Sequence, residues 1–183
     1  MSATRRLILA AAGAGLVLPQ IARATSASTE APGGSTVGET VTGLVRRSAE
    51  GNAALMRGDI DGYRTLIPHT DDYTLMSPFG GTPTRGSDMT DKRWDAVGRF
   101  FRNGTFQQEV VQSYGSADMV FLAIIERCHV EVGGLPAQEW SLRVTLVYRR
   151  KGTEWQLAHR HADPLVKGVS LEKAAALARG DAT

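Results

Sequence analysis

The chain has 183 residues, of which 42% are hydrophobic and 22% are charged. This composition is typical of a globular protein, and the length allows one domain with its own core and indicates no second domain. The single cysteine, Cys128, excludes an intrachain disulfide, and its position in an apolar run predicts a small buried residue rather than a nucleophile.

Residues 1–24 have the order of an export signal. Arg5 and Arg6 precede an apolar run over residues 7–18, and residues 22–24 form a small-x-small cleavage site. The run is too short to span a bilayer stably, so no stable membrane span is expected after cleavage. The segment resembles a twin-arginine signal, and an ordinary secretory signal with two chance arginines is the alternative. Either signal predicts a periplasmic or secreted protein.

Removal of this signal changes the charge of the protein. Arg5, Arg6 and Arg23 are lost with no acidic residue, so the 21 Lys and Arg residues fall to 18 against 19 Asp and Glu, a net charge of −1. The isoelectric point of 8.9 therefore belongs mostly to the signal. The mature domain lacks the basic footprint of a nucleic-acid-binding protein, and we expect no nucleic acid partner.

The rest of the chain begins with a linker and then has helical periodicity. Residues 25–37 are rich in Ser, Thr, Gly and Pro, which predicts a flexible linker before a domain over residues 38–166. Helical spacing of apolar residues predicts helices over residues 39–56, 59–67 and 88–101. A further helix over 168–180, in a tail of residues 167–183, is predicted to dock through its Leu and Ala residues.

Strand patterns occupy the second half of the domain. A weak strand is predicted over residues 72–78, and four long strands are predicted over residues 105–114, 118–132, 139–150 and 155–162. Glycine-containing turns join the long strands, which predicts an antiparallel meander. Helices followed by such a meander are typical of an α+β fold in which helices cover one face of a curved sheet.

The last predicted strand carries the most informative motif. Strict alternation places Trp155, Leu157, His159 and His161 on one side of this strand, so two imidazoles end an apolar face. Ionisable groups in such a position indicate a cavity. A neutral imidazole in that cavity can act as an acid or a base near neutral pH, and the alternatives are polar struts at the cavity mouth or at a dimer interface.

Two further groups of residues leave alternatives open. A metal at the two histidines would need a third ligand, for which His129, Glu126 and Asp163 are the candidates, but no spacing is diagnostic and we expect neither a metal nor a cofactor. Arg143 lies on an apolar strand, so its guanidinium either pairs with one of these carboxylates or reaches an anionic group of a ligand.

Aromatic residues are numerous enough to line a pocket for a flat organic molecule, although a core of this size needs them as well. We expect Trp94 and Phe79 to shape this pocket, with Glu126 and Tyr63 as further pocket residues.

Four segments together resemble the nuclear transport factor 2-like superfamily, and within it the SnoaL-like and association-domain-like small proteins. They are residues 72–81, 125–127, 143–145 and 155–163. The resemblance covers about residues 38–166 and implies a cone-shaped α+β fold, in which a curved antiparallel sheet wraps around the N-terminal helices and leaves a pocket between them. This fold carries many unrelated activities, so the resemblance implies no particular reaction.

Two hypotheses of function follow. In the first, the exported domain binds a small, largely apolar organic compound and can also act as a cofactor-free acid–base enzyme of the isomerase, cyclase, dehydratase or hydrolase type. His159, His161 and Arg143 would then act on the compound. In the second, the domain is a non-catalytic dimerisation or ligand-sensing module.

A homodimer is expected under either hypothesis. The long strands leave an outer sheet face on which Val120, Leu122 and Ile124, or the residues that alternate with them, need cover from water.

Overall fold

The computed structural model describes residues 35–181. The predicted signal and residues 25–34 of the predicted linker lie outside this range. Among the described residues, no helix combines the length and the apolar character that a membrane span requires.

The described residues form an α+β fold. Its helices are α1 Val37–Met56, α2 Ile60–Leu66, α3 Asp91–Phe100 and α4 Leu171–Arg179. Its strands are β1 His69–Met76, β2 Thr84–Arg85, β3 Phe101–Gly115, β4 Met119–Val132, β5 Leu135–Lys151 and β6 Glu154–Pro164. The predicted order of helices and long strands is confirmed, and the short strand β2 is an addition to it.

Side-chain caps set the helix starts. Thr36 and Glu39 form a capping box, in which the Thr36 hydroxyl accepts from the Glu39 backbone N–H and the Thr36 N–H donates to the Glu39 carboxylate. This cap extends α1 two residues before its predicted start. Asp59 caps α2 and Thr90 caps α3 by accepting a backbone N–H with a side-chain oxygen, so each helix that packs on the sheet begins at a defined residue.

The six strands form one curved, unclosed sheet in the order β2-β1-β6-β5-β4-β3. The long strands pair antiparallel, as predicted, but β1 pairs with β6 in parallel, so the sheet is mixed. Gly133 and Gly134 have φ values of 58° and 88°, which the tight β4–β5 turn requires at both of its central positions. The meander from β3 to β6 brings the last strand beside the first.

The core lies between the helices and one face of this sheet, here called the inner face. Val120, Leu122 and Ile124 of β4 are buried on it. The alternate residues of β4, among them Phe121, belong to the opposite, outer face, where Phe121 is 39% exposed.

A bulge in β6 determines which of its side chains lie on each face. Tyr148 pairs with Leu157 and Val147 pairs with His159, so Ala158 has no partner on β5. The extra residue reverses the alternation of the strand. After the bulge Arg160, rather than the histidines, lies on the inner face.

Strand β3 is one edge of the sheet and is irregular at two places. Its pairing with β4 shifts between Arg102 and Thr105 and again between Val110 and Gln112. Asn103, in the first irregularity, has a φ of 55°. At the other edge, β2 contains only two residues.

The prediction that the last helix docks on the domain is wrong for the described residues. Leu171 and Leu177 of α4 are 80% and 48% exposed, and α4 has no buried residue. The helix forms because Ser170 caps its start and Gly180 adopts a left-handed conformation at its end, and both signals are local.

Candidate functional site

A cavity of about 300 Å³ lies between the inner face and helices α1, α2 and α3. Most of its lining is apolar or aromatic, with Leu55, Leu75, Val97, Phe100, Trp140 and Leu142 among the contributing residues. The volume is at the small end of the range of about 300 to 1,000 Å³ typical of ligand pockets. All four residues expected in the pocket, Trp94, Phe79, Glu126 and Tyr63, line this cavity.

Phe79 lies at the rim of the cavity. Its side chain is 58% exposed, and its ring is 5.5 Å from that of Trp140 and 5.6 Å from that of Phe100. Gly80 and Gly81, directly after it, both have positive φ values. The rim is therefore an aromatic surface that is partly open to water.

An ion pair between β4 and β6 supplies the charged part of the cavity wall. Arg160 donates through Nη1 to Oε1 of Glu126 at 2.8 Å and through Nη2 to Oε2 at 2.7 Å. Asn52, which is buried on α1, donates to the same Oε1 at 3.3 Å. The two Arg–carboxylate bonds fix the plane of the guanidinium, and Asn52 ties the pair to the helix.

The charges of this pair compensate each other. Burial works against the charged guanidinium, but the adjacent Glu126 carboxylate outweighs it and raises the pKa of Arg160. The Arg160 side chain keeps 14% of its surface exposed, whereas the Glu126 side chain keeps 1%. Both residues line the cavity, and the arginine side chain is the more exposed of the two.

Tyr63, His69, Tyr73 and Trp94 form an aromatic cluster beside the ion pair. The His69 ring lies 4.4 Å from the Tyr73 ring and 5.1 Å from the Trp94 ring. Tyr63 Oη and His69 Nε2 are 3.4 Å apart. Burial raises the pKa of Tyr63 to about 12, and burial together with the Arg64 charge lowers the pKa of His69 to about 4. Both groups are therefore neutral at neutral pH.

Cys128 also lines the cavity. Its thiol is buried, and this burial raises its pKa to about 12. A thiol of this kind is a poor nucleophile at neutral pH, in agreement with the predicted role as a small buried residue.

The prediction that His159, His161 and Arg143 share this cavity with Trp94 is wrong. Because of the bulge at Ala158, both imidazoles lie on the outer face with Arg143, and none of the three residues lines the cavity.

The outer-face residues have partners of their own. The His159 Nδ1 atom is 2.7 Å from the Thr74 hydroxyl. Arg143 pairs with Asp163 at 3.4 Å rather than with Glu126. Burial, followed by the neighbouring His161, lowers the pKa of His159.

Sequence reasoning missed Arg160, Asn52 and His69. Asn52 had a detectable signal, because it is spaced four and eight residues after Ser48 and Leu44 on the buried side of α1. Arg160 had no such signal, because strict alternation along β6 predicted that its side chain lies on the outer face. His69 begins the first strand, three residues before its predicted start.

The described residues contain no group of three or more His, Cys, Asp or Glu side chains placed to hold a metal ion. Glu126, the carboxylate on the cavity wall, already accepts three hydrogen bonds.

Comparison with solved structures shows the fold. The chain is similar to a protein from Thiobacillus denitrificans proposed to be a calcium/calmodulin-dependent protein kinase type II association domain, with 22% identity over 66% of this chain and 93% of the other, and a TM-score of 0.53. It is similar to a proposed dehydratase of the nuclear transport factor 2-like family from Streptomyces avermitilis, with 18% identity over 72% and 100% and a TM-score of 0.57.

A nuclear transport factor 2-like protein of unknown function from Pseudomonas putida is similar as well, with 20% identity over 76% of this chain and 94% of the other, and a TM-score of 0.55. A search of curated proteins found no match. A family model described as the SnoaL-like domain matches residues 48–166, well over half of the chain. The chain therefore belongs to the SnoaL-like domain family of the nuclear transport factor 2-like superfamily.

Proposed function

We propose that the domain binds a small, largely apolar organic compound in the cavity between the inner face and the helices. The observation that supports this proposal is the combination of an apolar cavity with one charged pair on its wall. The aromatic rim at Phe79 gives a compound a route to the cavity, and Arg160 gives it a charged hydrogen-bond donor that can fix its orientation.

The energetics of the ion pair support a ligand. A buried Arg–carboxylate pair loses the hydration of two ions, and replacement by apolar residues of similar volume is often neutral or stabilising. A cavity in place of packed side chains also costs packing energy. A domain that only needed a core could use larger apolar side chains here, whereas a binding site uses both the charged pair and the cavity.

Binding is better supported than acid–base turnover. The pKa of Tyr63 and that of Arg160 are both raised, which leaves these two groups protonated at neutral pH. Both carboxylate oxygens of Glu126 accept from Arg160. A general acid or base works best with a pKa near the working pH, and Tyr63 and Arg160 lack that property.

The proposal is tested by native mass spectrometry of the purified protein, followed by extraction of any bound compound. Val97→Trp should fill the cavity from α3, and Val111→Trp, the same substitution on the outer face, is the matched control. We expect a bound compound in the wild type and the control and its loss in Val97→Trp. Equal occupancy in all three proteins would contradict the cavity as the site.

Export is the second part of the proposal, and it is supported by the order of charges and apolar residues in 1–24. N-terminal sequencing of exported protein should find a start near Thr25. The double substitution Arg5→Lys and Arg6→Lys should stop export by the twin-arginine route, and continued export would favour the general secretory route.

The third part of the proposal is a homodimer formed through the outer face. This part corresponds to the alternative hypothesis that the domain is a dimerisation module. Val111 is 62% exposed and Phe121 39% exposed on this face, and the same patch on a second copy would cover both. Light scattering should show a dimer that Val111→Asp weakens. A monomer at all micromolar concentrations would contradict this part and leave the binding proposal intact.

A further inference from the structure

We propose that the cavity selects uncharged compounds that carry a hydrogen-bond acceptor, such as a ketone or ester carbonyl, and rejects carboxylates of the same shape. This inference rests on the proposed function, since it names the class of compound that the cavity binds.

The acceptor requirement follows from the free donors of Arg160. A guanidinium has five N–H groups, and two of them donate to Glu126. Within the described residues the guanidinium makes no other hydrogen bond, and Arg160 is one of the residues that line the cavity. A carbonyl oxygen in the cavity would accept from this guanidinium, whereas a hydrocarbon would leave the donors unpaired.

The rejection of anions follows from the sum of charges. Arg160 and Glu126 are the only charged residues among the described residues that line the cavity, and their charges cancel. A carboxylate would therefore bring an uncompensated negative charge out of water and place it near Glu126, whereas a neutral acceptor adds no net charge.

The aromatic cluster adds no positive charge that could compensate an anion. His69 Nε2 lies 3.4 Å from Tyr63 Oη, and its lowered pKa of about 4 keeps it neutral. The Arg64 guanidinium lies 5.6 Å from the centre of the Trp94 ring and pairs with Asp91 at 3.3 Å. Arg160 and Arg64 are therefore each already paired with a carboxylate.

Three probes of nearly equal shape test the inference by isothermal titration calorimetry at pH 7.5. They are 4-methylacetophenone, which has a neutral acceptor, 4-ethyltoluene, which has none, and 4-methylbenzoate, which is an anion. We expect the ketone to bind about tenfold more tightly than the hydrocarbon, because one hydrogen bond to a charged donor is gained, and the benzoate to bind most weakly.

Two variants assign the selectivity to the ion pair. Glu126→Gln keeps the shape but leaves the charge of Arg160 uncompensated, so benzoate affinity should rise about tenfold or more above that of the wild type. The double variant Glu126→Leu with Arg160→Met replaces the pair with apolar side chains. It should lose the preference for the ketone over the hydrocarbon and still bind both. Thermal unfolding checks that each variant is folded.

The outcomes separate the two proposals. If the wild type binds none of the three probes, the proposed function is contradicted, and this inference fails with it. If it binds the hydrocarbon as tightly as the ketone, or the benzoate most tightly, the proposed function stands and the inference is overturned. If Glu126→Gln does not fold, the double variant still decides, because a retained ketone preference in it would overturn the role of Arg160.

Discussion

Two ion pairs on the two faces of the same sheet have similar chemistry and different surroundings. On the outer face, Arg143 and Asp163 are 3.4 Å apart, with side chains 58% and 43% exposed. On the inner face, Arg160 and Glu126 are 2.7 Å apart, with side chains 14% and 1% exposed. Exposed pairs contribute about 0–1 kcal/mol to stability, whereas loss of one partner of a buried pair costs about 3–5 kcal/mol. The face of the sheet on which an arginine lies, rather than the residue type, therefore decides how much its ion pair matters for stability.

The largest effect is expected when the inner pair is broken. Glu126→Leu leaves the Arg160 charge buried without a partner and should lower the free energy of unfolding by about 3–5 kcal/mol. Urea unfolding measures this change through the transition midpoint. Asp163→Leu is the matched control on the outer face and should change stability by no more than about 1 kcal/mol. Equal losses in the two variants would remove the contrast between the faces.

A pH dependence is expected from His69, whose pKa is lowered by burial to about 4 from an ordinary 6.5. Between these values the unfolded chain binds a proton that the folded protein does not. The free energy of unfolding should therefore fall by about 3 kcal/mol as the pH is lowered from about 6.5 to about 4, and this contribution should level off below that.

The His69→Phe variant isolates this contribution. The phenyl ring keeps the contacts with Tyr73 and Trp94 but binds no proton, so urea unfolding at pH 7.5 and pH 5 should show a smaller loss of stability than in the wild type. The same loss in both proteins would show that other groups cause the pH dependence.

Smaller effects are expected from the outer-face imidazoles. His159→Ala removes the hydrogen bond to Thr74 and should cost about 1 kcal/mol, while His161→Ala should change stability by about 0.5 kcal/mol or less. Neither variant should alter ketone binding in the calorimetric assay. Weakened ketone binding in either variant would show that the histidine contributes to the binding site.

The smallest effect is expected from the terminal helix. A chain that ends at Lys167 lacks α4, which has no buried residue, so its thermal unfolding midpoint should match that of the full chain within about 2 °C. A larger decrease would mean that α4 packs against the domain in solution.

Much of this fold could be predicted from the sequence because its signals are local. Apolar spacing and the glycine turns predicted the helices and the long strands. Four residues of the cavity wall, Trp94, Phe79, Tyr63 and Glu126, were predicted as well. The position of Arg160 could not be predicted. Ala158 is small and apolar and fits either face, so no feature of the sequence marks it as a bulge. The parallel pairing of β1 with β6 is a long-range contact that turn patterns cannot indicate.

The two edges of the sheet restrict how copies of this protein can associate. One edge is the two-residue strand β2, and the other is β3, whose pairing with β4 is irregular at two places. Bulges and short strands hinder the extension of a sheet by another chain through backbone hydrogen bonds. Edge-to-edge growth, which has no natural end and leads to fibres, is therefore disfavoured at both edges. Contact through the outer face remains available, and a two-fold pair formed there closes on itself.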